Sequence, residues 1–143
     1  MDDFYAARSG PIPPLPWPSI PPPFSILAEA ADPKAALHRY PDIFRRSLER
    51  DNRLCLGSFM SAEYDDLPEA VTKEIQFFAD VNISWLSERL VEVGIVGSAD
   101  SEDRARAIFA AVSGAQLMAR SRADMSLFDT LIRSYRDAGL LPA

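Results

Sequence analysis

The sequence is poor in the residues that do most nucleophilic and metal chemistry. Its 143 residues include one cysteine, Cys55, and one histidine, His38. A lone cysteine excludes an internal disulfide and suits a reducing compartment. One cysteine and one histidine do not make an ordinary zinc site. As a nucleophile and base the pair is poorly supported, because a cysteine between Leu54 and Leu56 reads as a small core residue. Asp65-Asp66 and Glu102-Asp103 read as acids at helix starts, not as a paired acid and base. No glycine-rich phosphate loop is present. Catalysis, a metal and a cofactor are therefore not expected. Basic charge is also scarce: 15 Lys and Arg stand against 21 Asp and Glu, for a net charge of −6. Affinity for DNA rests largely on cations neutralising phosphates, so direct nucleic-acid binding is not expected either. Apolar runs fall well short of the roughly 18 residues of a membrane span. The Met-Asp-Asp start lacks the basic and apolar regions of a signal peptide. The expectation is a soluble, cytoplasmic chain with no membrane contact.

What the sequence does have is globular composition, with 48% hydrophobic and 25% charged residues, at the size of one ordinary domain. It divides at residue 31. Eight prolines crowd between Pro11 and Pro23, and each lacks an N–H and fixes φ, so residues 1–31 read as an extended, largely polyproline II arm. Such an arm serves as a ligand for a proline-recognising groove, as a stiff strap laying Trp17, Ile20 and Phe24 on its own domain, or as the vestige of a lost domain.

Residues 32–143 read as amphipathic helices throughout. Asp32-Pro33 is an N-cap followed by a first-turn proline, and Leu37, Tyr40, Phe44 and Leu48 then share one face. Pro41 lies inside this pattern and predicts a kink or a split. A shorter helix is expected from Leu54 to Tyr64, weakened by Gly57. Leu67-Pro68-Glu69 opens a long helix whose stripe is Val71, Ile75, Phe78, Trp85, Leu86 and Val93, with Gly94 as its stop. Another helix follows from about Ser101 to Arg122. A last one begins at Ser126-Leu-Phe-Asp, a capping-box-like start, and carries Phe128, Leu131, Ile132 and Tyr135 on one face before Gly139. The expected class is all-α.

Three stretches resemble a known family. The first is Asn52-Arg-Leu-Cys-Leu-Gly-Ser-Phe-Met-Ser-Ala-Glu-Tyr-Asp-Asp-Leu-Pro68. The second is Phe77-Phe78 followed by Trp85-Leu86, and the third is Ala110-Ala-Val-Ser-Gly-Ala-Gln-Leu-Met-Ala-Arg120. Their order and spacing, from roughly Asp32 to Leu141, resemble the C-terminal ligand-binding and dimerisation domain of TetR-type transcriptional regulators. The resemblance implies an antiparallel helical bundle whose last two helices pair with their copies in a second subunit. In that family a three-helix DNA-binding domain comes first, which the proline-filled segment cannot form. The expectation is thus an effector-binding and dimerisation half without its own DNA-reading half.

The residues support a dimer independently of the resemblance. On the helix from Ser101, Ala107, Ala111, Gly114 and Met118 fall in one arc, and Ile108, Val112, Ala115 and Ala119 in the next. A helix apolar over more than half its circumference is buried on two sides. Either a partner covers the small-residue arc, or both arcs pack inside one monomer. With the last helix, the expected dimer face comprises Ala107, Ala111, Gly114, Met118, Phe128, Leu131, Ile132 and Tyr135.

Asn82 lies within the apolar stripe, between Phe78 and Trp85. It reads either as the polar anchor of a pocket for a small hydrophobic effector, walled by Phe59, Phe78, Trp85 and Phe109, or as an amide bonded within the fold. Gln116 is a second polar candidate. Two functions follow: an effector-binding dimerisation domain, or a ligand-free interaction module that pairs with itself or a full-length relative.

Overall fold

The computed structural model describes residues 32–50 and 64–143. The Pro-rich arm, and the expected helix from Leu54 with Cys55 and Phe59, fall outside the described residues. Within the described residues the chain is all-helical, with four α-helices, one 3-10 turn at Tyr64–Asp66 and no strand. The helices are α1 (Pro33–Glu49), α2 (Glu69–Glu92), α3 (Ser101–Ser121) and α4 (Met125–Asp137). The most extensive packing is α2 on α3, then α3 on α4, while α1 lies against all three of the others.

The start of α1 follows its sequence signal. Asp32 is the N-cap, its carboxylate accepts the Ala35 N–H at 2.8 Å, and proline takes the first turn. Pro41 does not split this helix, which runs unbroken from Pro33 to Glu49. Proline costs the Leu37 carbonyl its helical bond. Burial of Leu37, Tyr40, Ile43, Phe44 and Leu48 in one core face outweighs that loss, since each large apolar side chain contributes roughly 1.5–3 kcal/mol.

Two helix starts depart from expectation. Pro68 stands one position outside α2, where its carbonyl accepts the Val71 and Thr72 N–H groups. Helix α4 begins at Met125, not Ser126. Its N-cap is Asp124, whose carboxylate accepts from both the Leu127 N–H and the Ser126 hydroxyl. Asp129 is thereby released from any capping box and turns to α1 instead.

Three helices end on the same device, in which a residue at positive φ lets two backbone N–H groups reach back to the last turn. After α2 it is Gly94 (φ 73°), with Gly94 N–H bonding Val91 and Ile95 N–H bonding Leu90. After α4 it is Gly139. After α3, however, it is Ala123 at φ 47°, with Ala123 N–H bonding Arg120 and Asp124 N–H bonding Ala119. An L-residue with a Cβ is strained there. Ala123→Gly should therefore stabilise the protein by about 0.5–1 kcal/mol, read as a higher denaturant midpoint at unchanged slope.

Candidate functional site

The core around α1 is aromatic. Tyr40 stacks on Trp85 of α2 at 5.9 Å between ring centroids, and meets Phe44 edge-on at 5.6 Å. Phe44 and Phe78 each present an edge-to-face contact to Phe109 of α3, at 6.4 and 6.3 Å. The structure thus gathers Phe78, Trp85 and Phe109 around the aromatic residues of α1; Phe59 is outside the described residues.

Asn82 and Gln116, the two polar candidates, are 1% and 0% exposed. Asn82 Oδ1 accepts the Tyr40 hydroxyl at 2.9 Å, and its Nδ2 donates to the Phe78 carbonyl at 2.8 Å. Gln116 Nε2 donates to the Phe44 carbonyl at 2.9 Å, across from α3 to α1. Both amides bind the protein's own groups and tie α2 and α3 to α1. One polar atom beside this region stands differently: Ser113 Oγ on α3 is buried with no hydrogen-bond partner.

The two apolar arcs of α3 separate. Ile108, Val112, Ala115 and Ala119 are fully buried within the chain. Ala107 is exposed, Ala111 and Gly114 are half-buried, and Leu117 and Met118 are 52% and 47% exposed. A Cβ built on Gly114 meets nothing within 4 Å. Among the described residues, only the first of these arcs packs inside the monomer. On α4 the expected dimer face needs correction: Phe128 and Ile132 are core residues of the single chain, at 1% and 5% exposure. Both belong to the core cluster that also holds residues of α1 and α3. Leu131 and Tyr135 are half-buried at the core's margin.

A cleft of about 260 Å³ lies between α1 and α4, with Pro41, Phe128 and Ile132 among its lining residues. At its edge Arg45 grips Asp129, Nε to Oδ1 at 2.8 Å and Nη2 to Oδ2 at 3.1 Å, and pairs with Glu49 through Nη1. This two-point contact holds the Asp129 carboxyl below its usual range and raises the Arg45 guanidinium. A depressed carboxyl contributes stability that is present above about pH 4 and is lost as pH falls through its folded value. Sequence reasoning missed this pair, whose members lie 84 positions apart with no local signal.

Among the described residues, no group of three or more His, Cys, Asp or Glu could hold a metal ion. No helix there is long and apolar enough to cross a membrane.

No family model matches the sequence, and no curated protein does. The fold is similar to the crystal structure of a TetR transcriptional regulator from Legionella pneumophila, with a TM-score of 0.70 and 23% identity. The match covers 81% of this chain and 63% of that one, so the chain spans under two thirds of the regulator's length. At that identity the similarity establishes the TetR-type regulator fold.

The Asn82 contacts make a direct prediction. Tyr40→Phe removes the only donor shown for Asn82 Oδ1 and leaves a buried acceptor unsatisfied. Unfolding in denaturant should show a loss of about 1–3 kcal/mol; a loss near zero would mean that Asn82 has another partner.

Proposed function

We propose that this chain is a dimerisation and effector-binding domain of the TetR type, with dimerisation through the outward arc of α3. The supporting observation is that arc itself. Ala107, Ala111 and Gly114 leave the backbone of α3 open to close approach, and Leu117 and Met118 project beside it with about half their surface in water. Small residues flanked by large apolar ones suit a second helix packing ridges into grooves. A two-fold pair of such helices presents the same arc to itself. Leu131 and Tyr135 extend this face at the margin of the core.

The effector reading has narrower support, namely the unpartnered Ser113 hydroxyl beside Phe109. A small, largely apolar molecule among Phe78, Trp85 and Phe109 would act by favouring one helix arrangement over another. The internal bonds of Asn82 and Gln116 favour the other reading, a ligand-free interaction module that pairs with itself or with a full-length relative. In either case this acidic stretch of chain is not itself the part that contacts nucleic acid.

Gly114→Arg tests dimerisation cleanly, because the single chain has room at that position. The wild type should scatter light as a dimer at micromolar concentration, and the variant as a monomer with an unchanged helical spectrum. A monomeric wild type, or a variant that remains dimeric, contradicts the assignment.

A thermal-shift screen of apolar metabolites separates the two readings. A true effector at a hundred times its dissociation constant adds about 2.7 kcal/mol of stability. A screen without any shift leaves the interaction module.

A further inference from the structure

The outward arc of α3 changes character along its length. Its small apolar residues, Ala107, Ala110 and Ala111, stand before Gly114. Its large ones, Leu117 and Met118, stand after it at 52% and 47% exposure. Ala110 and Leu117 are seven residues apart, close to two full turns, so they project from the same side of the helix. Ala111 and Met118 do the same in the neighbouring row. Gly114 lies between the two rows, and a Cβ built there meets nothing within 4 Å.

Two copies can meet along such an arc in two ways. Along the helix axis Leu117 and Ala110 lie about 4.5 and 6 Å to either side of Gly114, and Met118 and Ala111 about 6 and 4.5 Å. A parallel pair brings each residue level with its own equivalent. Large then meets large at one end and small meets small at the other, and both crowding and voids destabilise a contact. An antiparallel pair crossing at Gly114 brings Leu117 level with the partner's Ala110, and Met118 level with the partner's Ala111. Charge favours the same orientation. The start of α3, with Asp100, Glu102 and Asp103 against Arg104 and Arg106, carries one net negative charge. Its end, with Arg120 and Arg122 against Asp124, carries one net positive charge. Antiparallel packing sets opposite ends together, and parallel packing sets like on like, a modest effect between exposed groups.

We propose that the occupant of this face is a second copy of the chain, antiparallel and crossing at Gly114, with Leu117 and Met118 of each copy seated on Ala110 and Ala111 of the other. This rests on the dimer reading above and extends it by fixing orientation, register and partner. A related helix with a large residue level with Leu117 or Met118 is excluded, so the order from small to large selects the chain's own copy.

Exchanging the two sizes between chains tests the register. Ala110 and Leu117 are both exposed in the single chain, so Ala110→Leu and Leu117→Ala leave its helical spectrum unchanged. Ala110→Leu sets leucine against leucine twice in its homodimer and should weaken it about tenfold or more in sedimentation velocity. Leu117→Ala leaves two voids and should weaken its homodimer about tenfold. Mixed together, the two variants fit, because the new leucine of one chain meets the new alanine of the other. Native mass spectrometry should show heterodimer well above the share that random pairing gives. An Ala110→Leu homodimer as tight as wild type, or a mixture with no excess of heterodimer, would overturn the antiparallel register while a dimeric wild type keeps the dimer reading. A monomeric wild type removes both.

Discussion

Helix α3 carries more apolar surface than the other described helices cover, and those helices are arranged around its inner side. Its inner arc, Ile108, Val112, Ala115 and Ala119, is sealed by α1, α2 and α4. The alanines matter as much as the larger residues, because they let neighbouring helices come close. Gln116 stands at the inner edge of this arc and fixes the approach of α1 through the Phe44 carbonyl. A buried amide with a single geometry specifies how the two helices lie, where apolar contacts alone would leave them free to slide. With the inner arc committed, Ala107, Ala111, Gly114 and Met118 necessarily turn outward.

Helix α1 plays the complementary part of a tether. Donors or acceptors from three other helices reach the stretch from His38 to Arg45: Asn82 from α2, Gln116 from α3, Asp129 and Arg136 from α4. Pro41 sits at the middle of that stretch. The cross-helix bonds and the aromatic packing hold α1 continuous where its sequence alone suggests a break. Such contacts explain how a helix with an internal proline stays continuous. They also bring Arg45 and Arg136 to the lining of one cleft.

Much of this was legible in the sequence. The Asp32-Pro33 start, the buried face of α1 and the glycine stops at Gly94 and Gly139 depend on local chemistry, and local chemistry is written locally. The separation of α3 into two arcs followed from 3.6-residue periodicity. Asn82 and Gln116 stood out as polar residues at apolar positions, yet their partners, Tyr40 and the Phe44 carbonyl, lie on another helix. No spacing rule connects positions 42 or 72 residues apart. The same limit hid the Arg45–Asp129 pair. It also misassigned Phe128 and Ile132, because an apolar face on α4 does not announce whether its own core or a partner covers it. The starts of α4 and α2 were misread by one position because Asp124, two residues before Ser126, supplies the cap of α4, and Pro68 caps α2 with its carbonyl from outside the helix.

The account turns on α3 meeting its own copy near Gly114, and a cross-link reads that most directly. In a Cys55→Ser background, a cysteine introduced by Gly114→Cys would lie close to its equivalent in the second subunit. A cysteine introduced by Lys73→Cys, on the exposed start of α2, serves as the comparison. Under mild oxidation at micromolar concentration, Gly114→Cys should convert to a disulfide-linked dimer while Lys73→Cys stays monomeric. If both cross-link alike, or neither does, the outward arc of α3 is not where two copies of this chain meet.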